Sequence, residues 1–323
     1  MVSPLVTRVA VLAGPTGCGK TAAAVALRTV HGLPVEAIGF DALQLYRSLD
    51  AATAKPTPAE RAALPYHLVD VLDPMEACSA GRWVERARAA IADVHARGAW
   101  PLLVGGTGLY LRALLEGLAD IPPTPPALRG ELAERWAQAG ADLLHAELAA
   151  VDPDYAARTP ASNRQRVLRA LEVWHATGRP FSQWHAGGRR GFEGPVHITV
   201  VEPDPVALRA RLQTRAAAMA GPLLAEVRAL LAAGLDTTAP GLQALGYRDA
   251  VELVQRAAAE GAGVATGPSP ERVLGDRLAH LHVQYARRQR TWFRAQRADV
   301  RGENLDAAAI AQWADALRSF HAG

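Results

Sequence analysis

Short apolar runs alternate with stretches of helical periodicity in the first part of the chain. The apolar runs lie at residues 8–13, 35–40, 68–72 and 102–104, and a further run follows at 197–201. The helical patterns cover residues 20–29, 82–96 and 109–115. Strands that alternate with helices form parallel sheets whose faces the helices cover. The pattern therefore predicts an α/β fold: a parallel sheet with helices on both faces.

The sequence DIPPTPP at residues 120–126 interrupts this alternation. Helical patterns without a convincing strand follow at residues 127–139, 141–150 and 163–176. We therefore predict an all-helical insertion domain at residues 121–192, carried by a core domain of residues 1–120 and 193–323. The last third of the chain is helical and includes a long helix that ends near residue 297.

Composition supports a globular protein. Half of the 323 residues are apolar and 21% are charged, which permits a substantial core and argues against disorder. Two cysteines cannot form a disulfide framework, and no apolar run has the length of a membrane-spanning helix. We expect a cytoplasmic monomer without a targeting segment.

The net charge of +3 is unevenly distributed. Residues 155–200 contain seven arginines against two acidic residues, and residues 277–301 contain seven arginines against one. In the second stretch Arg287, Arg290, Arg294 and Arg297 form a basic ridge at helical spacing. Two interpretations remain open: surfaces for a polyanion such as nucleic acid, or solvated helix faces.

The sequence GPTGCGKT at residues 14–21 matches the phosphate-binding motif GxxxxGK(S/T) and follows a predicted strand. Its backbone N–H groups and the start of the next helix attract an anion, Lys20 reaches the terminal phosphate, and the Thr21 hydroxyl can hold Mg²⁺. The predicted diphosphate-binding residues of this loop are Gly14, Pro15, Thr16, Gly17, Cys18, Gly19, Lys20 and Thr21. Lys20 and Lys55 are the only lysines of the chain, which indicates that arginine does not replace either.

Two further segments follow predicted strands. Asp41 ends the second strand, where it can accept a proton, hold the water shell of a metal, or merely cap a helix. Gln44 has the donor and acceptor needed to read a base edge. Thr107 lies among the glycines of GGTG at residues 105–108, which favours a functional loop over a tight turn.

Together these segments resemble the bacterial tRNA dimethylallyltransferases. The resemblance rests on GPTGCGKT, on DALQLYRSLDAATAKP at residues 41–56, on LLVGGTGLYLRALLEG at 102–117 and on QRVLRALEV at 165–173. It continues through RLQTR at 211–215, LGYRDA at 245–250 and ARRQRTWFR at 286–294. The segments occur in the family's order over nearly the whole chain.

The resemblance implies transfer of a dimethylallyl group from dimethylallyl diphosphate to the exocyclic amine of adenine 37 in tRNA, with release of pyrophosphate. It implies Asp41 as general base, Thr107 at the reaction centre, Arg215 on the diphosphate and Mg²⁺ at Thr21. The insertion would grip the anticodon stem-loop. The implied tRNA contacts are Asp41, Ala42, Leu43, Gln44, Arg129, Gln165, Arg166, Val167, Leu168, Arg169, Tyr247, Arg248, Arg288 and Gln289.

Other functions predict different readouts. A small-molecule kinase would bind ATP at the glycine-rich loop and use Asp41 to activate a hydroxyl, but it would not need the basic segments. A relative that acts on free adenine nucleotides would likewise need no tRNA-sized surface. A switch NTPase would need a hydrolytic carboxylate, for which Asp70 and Asp73 are weak candidates.

Overall fold

The computed structural model describes residues 7–185, 190–260 and 268–323. The chain forms two compact units. The first combines Met1–Leu114 with Glu193–Gly323, and the second is Leu115–Phe192. The second unit thus begins six residues before the insertion that the sequence suggested at 121–192.

A single sheet of six strands organises the first unit, and every pair of neighbouring strands is parallel. The strand order is β3-β2-β4-β1-β5-β6. The predicted α/β class is confirmed. The strands are β1 Val9–Ala13, β2 Val35–Phe40, β3 Tyr66–His67, β4 Trp100–Gly105, β5 Val196–Val201 and β6 Val300–Gly302.

The strand expected at residues 68–72 is wrong. Strand β3 ends at His67, and Leu68 and Asp70 have φ angles of 61° and 57°. A left-handed backbone turns the chain out of a sheet. Leu68, Val69 and Leu72 are therefore buried within a loop and not within a strand. Strand β6 was not predicted because its three residues are too few for a pattern and two of them are exposed.

Helices make up most of the remaining described structure. None of the described helices combines the length and apolar character that a membrane crossing requires. In chain order the helices are α1 Lys20–Thr29, α2 Pro58–Ala63, α3 Ala80–Ala96, α4 Gly108–Glu116, α5 Pro126–Val151, α6 Pro153–Ala156, α7 Arg164–Thr177, α8 Phe181–His185, α9 Pro205–Ala232, α10 Tyr247–Glu260, α11 Pro270–Arg294 and α12 Ala307–Ala322.

The sheet buries side chains on both faces. On one face Leu12 and Val104 pack with Leu27 of α1 and Leu317 of α12. Successive strand residues point to opposite faces, so the neighbours of these residues face away from α1 and α12. Helix α3 packs on β2 and β4, and the Trp83 indole nitrogen donates to the Gly39 carbonyl oxygen at 3.1 Å. All the carboxyl ends of the parallel strands lie at the same edge, where the candidate site is built.

The second unit has its own apolar core. Leu144, Leu148, Val167 and Leu171 are fully buried within it. Helix α5 is interrupted at Gly140, whose φ of 83° and ψ of 175° separate two helical segments. This break lies between the two helices predicted at residues 127–139 and 141–150. All the described secondary structure that lies wholly within Leu115–Phe192 is helical.

Candidate active site

Residues 14–21, which the sequence predicts to bind a diphosphate, run from the end of β1 into the first turn of α1. Gly17 and Gly19 have φ angles of 78° and 91°, which glycine adopts without steric cost. Gly19 is the N-cap of α1 and provides no side-chain cap, so the first N–H groups of the helix are available to a ligand. The Lys20 ammonium donates to the carbonyl oxygens of Gly14 and Pro15 at 3.0 and 2.8 Å. These two hydrogen bonds fix the ammonium against the segment that the sequence predicts to bind phosphate.

Asp41 follows β2 at the carboxyl edge of the sheet. Its Oδ1 accepts a hydrogen bond from the Leu43 N–H at 3.0 Å, and no helix begins here, so the alternative of a helix cap does not apply. Burial raises the pKa of Asp41, although the backbone N–H of Leu43 and the charges of Lys20 and Arg215 oppose the rise. A carboxylate with a raised pKa is a stronger base at neutral pH.

Arg215 lies on α9 and brings a second cation toward this carboxylate. Burial lowers the pKa of Arg215, and the charge of Asp41 opposes that shift. Burial and the nearby charge of Arg215 also lower the pKa of His282 to about 4. His282, on α11, is 5% exposed. The His282 imidazole is therefore neutral at neutral pH, and the charges of both Lys20 and Arg215 act on Asp41.

Thr107 supports the Asp41 segment directly. Its hydroxyl accepts a hydrogen bond from the Ala42 N–H at 3.1 Å, and its own N–H donates to the Phe40 carbonyl oxygen at 3.1 Å. The loop of Thr107 and the end of β2 are therefore one hydrogen-bonded structure. The hydroxyl keeps one donor proton for a further partner.

The glycines around Thr107 are required by protein neighbours. A Cβ at Gly105 would lie 2.5 Å from the Phe40 carbonyl oxygen. A Cβ at Gly106 would clash with the side-chain amide of Gln289, and a Cβ at Gly108 would clash with the Trp292 ring. The sequence favoured a functional loop over a tight turn because Thr107 lies among these glycines. The structure shows that each glycine admits a close protein neighbour, Phe40 on β2 or Gln289 and Trp292 on α11.

Gln289 joins two of these loops. The side chain is 5% exposed. Its Oε1 accepts from the Thr16 N–H at 2.9 Å, and its Nε2 donates to the Gly106 carbonyl oxygen at 2.9 Å. Burial raises the pKa of Tyr285, one turn earlier on α11, and Asp41 adds to this rise, while hydrogen bonds to Thr107 and Gln289 oppose it. Helix α11 is therefore part of the site.

The predicted tRNA contacts differ in exposure. Gln165, Arg166, Arg129, Arg248 and Arg288 are exposed, while Asp41, Ala42, Leu43, Gln44 and Arg169 are partly buried. Val167, Leu168, Tyr247 and Gln289 are buried, which does not support a direct contact of their side chains with tRNA.

Two predicted tRNA contacts bind other parts of the protein. The Tyr247 hydroxyl donates to Glu226 at 2.6 Å. The Gln44 amide nitrogen donates to the carbonyl oxygen of Ala54 at 2.9 Å, which leaves the amide oxygen of Gln44 for another partner.

A buried acid in the second unit was missed by the sequence interpretation. Glu172 is 7% exposed. It accepts from Arg169 at 3.1 Å, and it lies 3.6 Å from the Nε of Arg129. Arg169 also donates to the Thr124 hydroxyl at 2.6 Å. Glu172 therefore positions two of the predicted tRNA contacts, and no local sequence signal distinguishes it from a solvated acid.

Lys55 buries its side chain and forms ion pairs with two aspartates. Its side chain is 5% exposed, and its ammonium lies 2.6 Å from Asp50 and 2.5 Å from Asp70. Burial acts to raise the pKa of Asp70, but hydrogen bonds and charges of Lys55 and Arg61 outweigh it and lower that pKa. Asp70 thus belongs to an ion-pair network, which argues against its role as a hydrolytic carboxylate.

The basic ridge of α11 is partly neutralised. Arg294 pairs with Glu202 at 3.2 Å. The predicted extension of the helix to residue 297 is wrong, because α11 ends at Arg294, and Arg297 lies beyond it and pairs with Asp299 at 3.0 Å. Arg287 and Arg288 are exposed, and the Arg288 guanidinium lies 5.8 Å from the centre of the Tyr285 ring. Arg287 of the predicted ridge and the adjacent Arg288 are therefore exposed cations that suit a polyanion.

Two family models match the chain. The model described as IPP transferase matches residues 44–296, and the model described as Isopentenyl transferase matches residues 7–65. The chain is 44% identical to the tRNA dimethylallyltransferase of Verminephrobacter eiseniae over 298 residues, which cover 88% of this chain and 87% of that protein. It is 41% identical to the tRNA dimethylallyltransferase of an Acidovorax species over 319 residues, or 95% of each chain.

Solved structures agree with these matches. The full-length tRNA isopentenylpyrophosphate transferase of Bacillus halodurans superposes with a TM-score of 0.65 at 30% identity, over 97% of this chain and 96% of that one. A eukaryotic dimethylallyltransferase acting on tRNA superposes with a TM-score of 0.75 at 22% identity, over 97% and 77% of the respective chains, and shows the same fold. The chain therefore belongs to the IPP transferase family, the family of the tRNA dimethylallyltransferases.

Proposed function

We propose that this protein transfers a dimethylallyl group from dimethylallyl diphosphate to the exocyclic amine of adenine 37 in tRNA and releases pyrophosphate. One observation carries the proposal: Asp41, a carboxylate whose pKa is raised by burial, lies in the field of Lys20 and Arg215. A base and two cations at one place suit a reaction in which an amine loses a proton while a diphosphate leaves.

The cationic side of the site serves the leaving group. Negative charge builds on the diphosphate as its bond to the isoprenoid carbon breaks. The N–H groups at the start of α1, the Lys20 ammonium and the Arg215 guanidinium stabilise that charge. Carbon is attacked here, so the phosphate groups depart together as pyrophosphate and none is passed to an acceptor.

Asp41 serves the nucleophile. The lone pair of an exocyclic adenine amine is delocalised into the ring, so proton removal during attack assists the reaction. Asp41 takes that proton as the nitrogen–carbon bond forms. The Thr107 hydroxyl holds the adjacent Ala42 N–H and thereby fixes the direction of the carboxylate. Adenine must leave its stack to reach this site, and an unpaired loop base is the least costly to extrude.

The residues of the site fit Mg²⁺. Thr21 lies in the first turn of α1 and offers a hydroxyl oxygen, a hard ligand of the kind that Mg²⁺ prefers. Mg²⁺ commonly takes only one or two ligands from the protein and is otherwise held by substrate phosphates and water. When bound, Mg²⁺ neutralises charge on the diphosphate.

The second unit supplies cations for the anticodon stem-loop in this proposal. Arg129, Arg166 and Arg169 are at least partly exposed there, and Arg248 and Arg288 are exposed on the first unit. Arginines bind phosphate oxygens and stack on bases. We also propose a cytosolic location, since Cys18 and Cys78 are free thiols, and a monomeric state. Light scattering with and without tRNA tests the monomer.

The test combines the purified protein with dimethylallyl diphosphate, Mg²⁺ and unmodified tRNA. Mass spectrometry of the digested tRNA should find one five-carbon unit on the adenosine of position 37, and chelation of the metal should suppress the reaction. A matched tRNA with guanosine at that position should remain unmodified. ATP consumption with unmodified adenosine would favour a kinase instead, and modification of free adenine nucleotides would favour the relative that needs no tRNA.

A further inference from the structure

We infer that Gln289 is a positioning residue that fixes the diphosphate-binding loop against the loop of Thr107. The inference rests on the proposed function and adds a specific role to a residue that the sequence suggested as a tRNA contact. Its side chain is 5% exposed, so the amide faces the protein interior.

Gln289 accepts one hydrogen bond and donates the other. The amide oxygen accepts from the Thr16 N–H, and the amide nitrogen donates to the Gly106 carbonyl oxygen, each at 2.9 Å. A carboxylate could accept but not donate, an ammonium could donate but not accept, and a thioether could do neither well. An amide on a side chain of this length therefore suits both partners.

The two loops lie close together around this amide. A Cβ at Gly106 would clash with the Gln289 amide and would lie 3.0 Å from the Gly14 carbonyl oxygen. The loop of Thr107 therefore packs directly on the diphosphate-binding loop. Glycine at position 106 is the sequence feature that permits this approach.

The hydrogen bonds of Gln289 also reach the segment of the proposed general base, Asp41. Gly106 precedes Thr107, whose hydroxyl holds the Ala42 N–H beside Asp41. The contact thus links the loop that holds the departing diphosphate to the segment that holds the base. A misplacement of about 1 Å between reacting groups can cost about 10²-fold in rate.

Gln289→Met tests the inference because it keeps side-chain length and removes both hydrogen bonds. With both substrates saturating, the single-turnover rate should fall about 10²-fold, while the dissociation constant for tRNA stays within about twofold. Leu317→Ala is the matched control, because it opens the core under α12 and lowers the melting temperature, and an apolar side chain takes no part in the hydrogen bonds of Gln289.

The outcomes separate the possible roles. Weaker tRNA binding with an unchanged single-turnover rate would assign Gln289 to tRNA contact and overturn the inference. If Gln289→Met and Leu317→Ala lower the melting temperature equally and also lose the same rate, Gln289 has only a structural role. A wild-type protein without transfer activity would instead contradict the proposed function.

A double-mutant cycle tests the contact independently of how well Gln289→Met folds. Gly106→Ala should lower the single-turnover rate strongly in the wild-type protein, because the new Cβ meets the amide. In a Gln289→Ala background the same change should cost at least about tenfold less, since the amide is gone. Equal losses in the two backgrounds would show that the Gln289 amide does not pack on position 106 and would overturn the inference.

Discussion

The Lys20 ammonium lies 2.8 Å from the carbonyl oxygen of Pro15, within its own loop. A second bond, to the Gly14 carbonyl oxygen, fixes the ammonium further. A guanidinium is larger and planar, and it cannot occupy the position of a compact ammonium between two carbonyl groups. The loop is therefore shaped for lysine in particular.

Lys20→Arg should weaken binding of pyrophosphate in the presence of Mg²⁺ by about 10- to 100-fold, the equivalent of losing one charged hydrogen bond of about 1.5–3 kcal/mol. Isothermal titration calorimetry with pyrophosphate measures the change. Exposed Arg211→Lys on α9 is a control for the general effect of charge substitution. Unchanged pyrophosphate affinity in Lys20→Arg would contradict a specific role for the ammonium.

Asp41→Asn should separate stability from activity. Burial raises the pKa of Asp41, so its ionised form at neutral pH is disfavoured in the folded protein. The uncharged amide removes that penalty, and we expect a higher melting temperature. The single-turnover rate should fall by about 10²- to 10⁴-fold, the usual contribution of a general base. Binding of tRNA should change little. If binding collapsed while the rate held, Asp41 would be structural.

The pH dependence of transfer follows from the same shift. The base acts only when deprotonated, and its pKa is raised above the ordinary aspartate value of 3.8. The single-turnover rate should therefore decrease as the pH falls, with an acidic limb above pH 3.8. This limb should be absent from the residual rate of Asp41→Asn. Its persistence in that variant would assign the limb to another group.

Glu172→Gln should weaken the binding of tRNA. The buried carboxylate orients Arg169 and Arg129, and an amide keeps the shape without the charge. We expect the dissociation constant for tRNA to rise by about 3- to 10-fold. The effect is moderate because the variant loses the orientation of the two arginines but keeps both cations. Filter binding at several salt concentrations measures it, and the salt dependence should stay close to that of the wild type because no cation is removed. Pyrophosphate affinity should not change.

The parts of this site that rest on local sequence could be predicted. Helix α1 begins at Lys20 and ends at Thr29 as its pattern indicated, because a glycine loop, a strand and a helix follow each other directly. Strand β2 likewise ends at Phe40, which places Asp41 at the carboxyl edge of the sheet.

Long-range contacts could not be predicted in the same way. Gln289 and Thr16 are 273 positions apart, and their contact depends on how α11 crosses the loops. The positive φ angles of Leu68 and Asp70 depend on tertiary packing, since an apolar run by itself favours a strand.

The role of Lys55 also depends on residues that are distant in the sequence. Its rarity suggested a special site, but only the fold brings Asp50 and Asp70 to its ammonium.

His321→Phe should make the protein less sensitive to acid. The imidazole of His321 stacks on Trp100 with ring centroids 4.0 Å apart, and its Nε2 is buried without a hydrogen-bond partner in the described structure. Burial lowers the pKa of His321 to about 4, and the charges of Arg8, His95 and His197 add to the shift. The folded protein therefore resists protonation here.

The sign of the effect follows from proton binding. Above pH 6.5 His321 is neutral in both states and contributes no pH dependence. Between pH 6.5 and about 4 the unfolded chain binds a proton that the folded protein does not, so the free energy of unfolding decreases as the pH falls. Phenylalanine can still stack on Trp100, but it has no ring nitrogen that binds a proton. Denaturant unfolding at pH 7 and pH 5 should therefore find a smaller loss of stability in His321→Phe than in the wild type. An equal loss in both would show that His321 is protonated in the folded state as readily as in the unfolded chain.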